Sequence, residues 1–211
     1  MTGPDLAAQG MMVRAAARRL ARSSSAVRDD FLRAAADLLV AETPAVLQGN
    51  EADLARGSDL GDTALDRLRL TAERVEAMAT GLRTVADLAD PVGEVVDGWT
   101  RPNGLRVERV RVPLGVVGVI YENRPNVTSD AAGLCVKAGN AAFLRGSSAA
   151  AASNAAVVAV LRRALAKAGL PEDAVSLVED GSHETAVEFM RLRGIVDCLV
   201  PRGGPGLIAS L

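Results

Sequence analysis

Three polar clusters, each directly after a short apolar run, hold the residues of this chain that could do chemistry. The first is residues 121–128, YENRPNVT, after the run 116–120. It offers Asn123, Arg124 and Asn126 as hydrogen-bond donors. Asn126 is the sharpest of them, because an uncharged amide can hold a developing oxyanion without titrating. A local alternative covers the same residues, with Asn126 closing the turn and Arg124 paired with Glu122. The second cluster is residues 145–148, RGSS, after the run 141–144. A helix starting at Ser147 and Ser148 presents free backbone N–H groups that attract phosphate, and Arg145 adds a planar positive fork. A serine cap beside a solvated arginine accounts for them equally. The third cluster is Arg202, Gly203, Gly204 and Gly206 in PRGGPGLIASL. Its glycines let backbone approach a dinucleotide closely, with Arg202 in reach of a phosphate. Tight glycine turns are common, however, and the GxGxxG fingerprint follows no strand here.

The other reactive residue types point elsewhere. Cys135 lies between Leu134 and Val136, and Cys198 beside Leu199 and Val200. Both read as packing residues, since a reactive thiolate needs exposure and a positive neighbour. Their wide separation gives neither a close-spaced metal pair nor a disulfide framework, and no metal site is expected. His183, the single histidine, opens a helix in a Gly-Ser-His sequence and reads as exposed or capping. One histidine without an elbow motif supports no Ser-His-Asp set.

The clusters need a scaffold, and the second half of the chain supplies one. From Leu114 the pattern alternates: strands at 116–120, 141–144, 175–178 and 195–200, helices at 129–138, 149–168 and 183–193. Continuous apolar strands alternating with helices predict a parallel Rossmann-like sheet with helices on both faces, an α/β fold. Gly169 and Gly194 close helices, and Pro171 blocks continuation of the longest. Ligands of such sheets bind at the carboxyl ends of the strands, where the three clusters fall.

Residues 1–90 read as a helical region, with helices at 6–21, 27–47 and 64–88 and a short helical turn at Asp53. Phe31, Leu32, Ala35, Leu38 and Leu39 recur at spacings of three and four, giving one apolar face. Residues 91–112 read as a β arm: a hairpin around Pro102, Asn103 and Gly104, then LRVERVRV, whose alternation shifts phase near Glu108 and Arg109 as at a bulge. An exposed edge of that length suggests self-association into a homo-oligomer. Residues 113–211 form the α/β region.

Composition narrows the function classes. The 211 residues are 49% hydrophobic and 24% charged but only 2% aromatic, so the core is built from Ala, Val and Leu and base-stacking platforms are not expected. A net charge of −2 with scattered Lys and Arg shows no phosphate-backbone footprint, so nucleic acid is not an expected partner. The amino terminus lacks the pattern of a signal peptide, and the uncharged run 146–161 falls short of the ~20 residues of a membrane span. A cytoplasmic location without membrane contact is expected. The sequence stops five residues after Gly206, too few for a helix that covers a sheet, so a fragment of a longer protein is expected.

The segments VPLGVVGVIYENRPNVTSDAAGLCVKAGNAAFLRGSS, GLPEDAVSLVED and VDCLVPRGGPGLI resemble the gamma-glutamyl phosphate reductase (glutamate-5-semialdehyde dehydrogenase) family of the aldehyde dehydrogenase superfamily. The motifs YExRPNVT, CxKxGNAxxLRG and PRGGxGL carry the likeness. The resemblance implies an aldehyde dehydrogenase-like cofactor domain and NADPH-dependent reduction of L-glutamyl 5-phosphate to L-glutamate 5-semialdehyde and phosphate, a step of proline biosynthesis. A cysteine thiolate would displace the phosphate as a thioester, and hydride from NADPH would release the aldehyde. That cysteine lies beyond the PRGGxGL turn in family members, so this chain is expected to be inactive alone. Arg145, Gly146 and Ser147 match the place of the adenosine ribose and its phosphate, and Arg145 tilts the cofactor toward NADP. Arg202, Gly203, Gly204 and Gly206 match the turn facing the pyrophosphate. Asn126 resembles the oxyanion amide, with Asn123 its rival, and Asn123 and Arg124 are implied at the substrate, glutamyl phosphate. Glutamate kinase is implied as an associate through the pathway. The alternative is a non-catalytic α/β nucleotide-binding or interaction module on the same framework.

Overall fold

The computed structural model describes residues 5–57 and 60–204; Gly206 of the glycine cluster lies outside the described residues. Five helices open the chain: α1 (Leu6–Leu20), α2 (Ser25–Ala41), α3 (Thr43–Arg56), α4 (Asp62–Leu68) and α5 (Ala72–Asp87). Side chains of Asp5, Ser24 and Thr71 cap α1, α2 and α5 by accepting from first-turn amides. Two expected helices are each split in two. The stretch 27–47 breaks at Glu42 because Pro44 has no N–H to give; Thr43 Oγ1 donates to Leu39 O (3.1 Å) and Val40 O (2.9 Å) in its place. The stretch 64–88 breaks at residues 69–71 because buried Asn50 captures the backbone there. Its amide nitrogen donates to Leu68 O at 2.8 Å and its oxygen accepts from Leu70 N at 2.7 Å. No periodicity in the second stretch records a partner so distant in sequence.

Strands β1 (Val95–Thr100) and β2 (Arg106–Val110) pair antiparallel and form a separate ribbon. The irregularity lies opposite Arg109 and Val110, close to the expected place, but the extra residue is on β1, between Val95 and Asp97. Every β1 residue is exposed, so no buried face ties the apolar alternation to the register.

The α/β region runs β3 (Val116–Tyr121), α6 (Asn126–Lys137), β4 (Ala141–Arg145), α7 (Ala151–Lys167), β5 (Val175–Leu177), α8 (His183–Met190) and β6 (Cys198–Arg202). All strand pairs are parallel, in the order β5-β4-β3-β6. Helix α6 starts at Asn126, ahead of the expected 129, because Pro125 at its amino end already has helical φ (−57°). Strand β6 starts at Cys198, later than the expected 195, since Gly194 turns the chain at φ +78° and residues 191–196 remain in turns.

Helices cover both sheet faces. On one, α6 and α7 pack beneath an outer layer of α2, α3 and α5; on the other, α1 lies against β4 and Phe143 meets Phe189 of α8 edge-on at 4.9 Å. The stretch Ser148–Lys167 is long and apolar enough to cross a membrane, yet it is a core helix, with Val157, Leu161, Ala164 and Leu165 fully buried. Chain order gives the sheet its functional geometry. After β3 it runs outward through β4 and β5, then returns across β3 to β6, so the topological switch point lies between β3 and β6.

Candidate functional site

The switch point opens into a cavity of about 490 Å³ at the ends of β3 and β6. Asn123, Arg124, Arg202, Gly203 and Gly204 line it together, so the first and third clusters of the sequence form one site. Arg67 of α4 joins them, a residue that the sequence did not single out. Glu122 does not pair with Arg124. Its Oε1 accepts from Gly204 N at 3.0 Å and anchors the glycine turn, while Arg124 N donates to Glu122 O at 2.7 Å and shapes the loop locally.

Asn126 faces away from this turn. Its Nδ2 donates to Asp130 Oδ2 at 3.1 Å, one helical turn on, and it lines a second cavity of about 510 Å³ between α4, α5 and α6. Arg67 and Arg124 line both cavities and form the wall between them. Burial pushes the Asp130 carboxyl above its ordinary range, against the smaller opposing effects of the Asn126 hydrogen bond and the Arg202 charge.

The second cluster stands apart, at the end of β4, around a cavity of about 280 Å³ that Gly146, Ser147 and Ser148 line with Arg56 of α3. Arg145 Nη2 donates to Gly181 O (2.6 Å) and Ser182 O (2.9 Å), and its buried Nε has no acceptor among the described residues. Desolvation of this half-buried guanidinium lowers its pKa, opposed by the nearby Asp180. Ser147 Oγ accepts from Ala149 N at 3.2 Å. Fully buried Asp53 accepts from Ala152 N (3.1 Å), Ser153 N (2.7 Å) and Ser153 Oγ (2.6 Å) and is paired with Arg56, so the first amides of α7 are already satisfied. Gly146 is required by crowding: an added Cβ would stand 2.2 Å from Asn154 Nδ2. Asn154 ends a buried chain in which Tyr121 Oη and Thr128 Oγ1 share a 2.7 Å bond and Thr128 donates onward at 3.0 Å.

Neither cysteine is placed as a nucleophile. Cys135 is buried in α6, and desolvation, with a smaller contribution from Cys198, pushes its thiol up to about 12. Cys198 is half-buried inside β6.

The family model described as "Aldehyde dehydrogenase family" matches residues 8–198. The chain is 49% identical over 209 residues to a gamma-glutamyl phosphate reductase of Anoxybacillus flavithermus, covering 98% of this chain and 51% of that protein. A Geobacillus kaustophilus protein of the same name is also 49% identical, with 98% and 50% covered. The crystal structure of the Thermotoga maritima gamma-glutamyl phosphate reductase superposes with a TM-score of 0.94 at 37% identity over 96% of this chain and 50% of that one. The Saccharomyces cerevisiae structure of that name gives 0.86 at 30% identity, with 98% and 53% covered. The chain thus spans about half the length of the curated relatives it matches. With its parallel sheet and the β3–β6 crevice, the chain belongs to the aldehyde dehydrogenase family, where its relatives include gamma-glutamyl phosphate reductases.

Proposed function

We propose that this chain is the NADP-binding half of a reductase that converts L-glutamyl 5-phosphate to L-glutamate 5-semialdehyde and phosphate in proline biosynthesis. The observation that carries the reading is the crevice at the switch point, which brings Asn123, Arg124, Arg202, Gly203 and Gly204 to one cavity. NADPH, when bound, supplies the hydride. The residues present fit such a group. A glycine turn free of side chains and an arginine without a side-chain partner among the described residues suit a pyrophosphate, and the groove at Gly146 and Ser147, with Arg56 on its rim, suits a phosphorylated ribose; Arg145 does not line that groove and is held by Gly181 and Ser182.

Of the two amides, Asn123 is the better oxyanion donor, because it shares the glycine-turn cavity whereas Asn126 is committed to Asp130. Arg124, on the wall between the two cavities, contributes positive charge to the anionic substrate. Cys135 stays protonated at neutral pH and serves packing, so the attacking thiolate comes from outside this chain. The domain organisation follows: residues 1–90 flank the substrate, 91–112 form an arm and 113–211 hold the cofactor. Trp99, Val95, Val96, Val110 and Val112 are exposed on or beside the arm, which supports its pairing with a second copy.

Titration of the chain with NADPH, followed by nucleotide fluorescence, tests the reading. A saturable signal weakened by Arg202→Gln is expected. A folded chain without saturable binding refutes the cofactor site.

A further inference from the structure

The cavity between α4, α5 and the start of α6 holds charges of both signs, of which only Arg74 and Asp66 pair among the described residues. Asp130 is a partly buried carboxylate whose only side-chain donor among the described residues is the neutral amide of Asn126. Arg202 lies near enough to ease this burial by its charge but forms no ion pair with Asp130 among the described residues, and a carboxylate withdrawn from water normally takes a cation in direct contact. Arg67, Arg69 and Arg124 line the same space, are exposed, and form no side-chain ion pair or hydrogen bond among the described residues. Arg74 in the same wall behaves differently: it donates to Asp66 Oδ1 at 2.8 Å and to the carbonyls of Asp66 (2.5 Å) and Arg69 (2.7 Å). It therefore fixes the α4–α5 connection and leaves the other guanidiniums open. The residue of α5 opposite Asp130 Oδ1 is Gly81, which has no side chain to close over that oxygen and where even an added Cβ would remain 3.9 Å away.

A ligand that satisfies this pattern carries a cation and an anion on neighbouring atoms. Resting on the function proposed above, we infer that this cavity receives the α-amino-acid head of the substrate, with Asp130 taking the ammonium and Arg69 with Arg124 the α-carboxylate. Because Arg67 and Arg124 line both cavities, a substrate with its head here extends its other end past that wall to Asn123 and the glycine turn. Selection of an amino-acid substrate then resides in the helical region, and the nucleotide fold contributes only the start of α6.

The test uses the 211-residue chain with L-glutamate as an unreactive probe, its γ-carboxylate standing for the acyl group, and reads amide shifts by NMR. Saturable shifts near Arg69, Arg124 and Asp130 are expected, with affinity falling about tenfold or more in Arg124→Gln and in Asp130→Asn. Glutarate, which lacks the ammonium, should bind wild type and Asp130→Asn equally. 4-Aminobutyrate, which lacks the α-carboxylate, should be indifferent to Arg69→Gln. Arg69→Lys, which keeps the charge at an exposed position, should retain most of the L-glutamate affinity and guards against misfolding as the cause. Equal L-glutamate affinity in wild type and both variants, or absence of L-glutamate binding in a chain that binds NADPH, overturns the head-group site alone. Loss of NADPH binding with L-glutamate recognition intact strikes the cofactor reading and spares this one, and binding of neither overturns both.

Discussion

The polar clusters at the carboxyl ends of β4 and of β3 with β6 are built differently. At the end of β4 most polar groups are matched inside the chain: Asp53 holds the first amides of α7, Ser147 caps Ala149, and Arg145 spends one nitrogen on Gly181 and Ser182. At the ends of β3 and β6, Arg124 and Arg202 have no side-chain partner among the described residues, and Glu122 alone reaches across to Gly204. The first arrangement is a preformed socket whose groups stabilise the fold. The second keeps its charge in reserve, which lowers stability slightly and leaves electrostatic energy for a ligand. If that contrast is right, substitutions at the first end should act mainly on folding and those at the second mainly on binding.

The largest effect is expected at Asp53. Asp53→Ala strips the acceptors from two amides and a hydroxyl, at least one of them buried, and should cost about 3 kcal/mol in urea denaturation. Asp53→Asn, which keeps one acceptor oxygen, should cost roughly half as much. A loss below about 1 kcal/mol for the alanine variant would break the contrast, because the socket would then not be held from within. Next comes Gly146→Ala. The added methyl must displace Asn154, whose Nδ2 would lie 2.2 Å away, and with it the buried Tyr121–Thr128–Asn154 chain. A cost of about 1–3 kcal/mol is expected, together with weaker NADPH binding. Unchanged stability would show that Asn154 swings aside freely.

These sites also show what a sequence can and cannot disclose. The strand–helix alternation from Leu114, the closing glycines Gly169 and Gly194, and the placing of all three polar clusters at strand ends follow from local periodicity and turn chemistry, and the structure has them. The break at Glu42 was signalled locally by Pro44, whereas the break at residues 69–71 depended on tertiary hydrogen bonds, Asn50 reaching the backbone of Leu68 and Leu70. Asp53 looked like a turn residue because its partners, Ala152 and Ser153, are remote in sequence. Asn126 read as the sharper oxyanion amide, with Asn123 its rival. Only the early start of α6 at Pro125 separates them, turning Asn126 along the helix toward Asp130. Arg67 and Arg69 carried no signal at all, since isolated arginines in the expected helix 64–88 read as a solvated face.

On the open side, Arg124→Gln and Arg202→Gln should each change stability by no more than about 0.5 kcal/mol, as expected of charges without partners. Arg202→Gln should still weaken NADPH. Loss of more than about 1 kcal/mol in either variant would mean that these arginines hold structure and that the two ends are alike.

The smallest effect has the opposite sign and sharpens the contrast furthest. Asp130 is held above the ordinary carboxylate range by burial, so between its unfolded and folded pKa values the native state keeps a proton that the unfolded chain has released. Stability therefore falls as pH rises through that window and stays lower above it; below the unfolded pKa the group contributes no penalty. Asp130→Asn should accordingly be slightly more stable than wild type at neutral pH, with the gain vanishing on acidification below about pH 4. Urea denaturation of both proteins across that range reads the difference directly. A loss at neutral pH, or a difference independent of pH, would show that Asp130 is a structural acceptor for Asn126. A gain would show that the cavity retains a carboxylate at a cost to the fold, which is how a group held ready for a cationic ligand should behave.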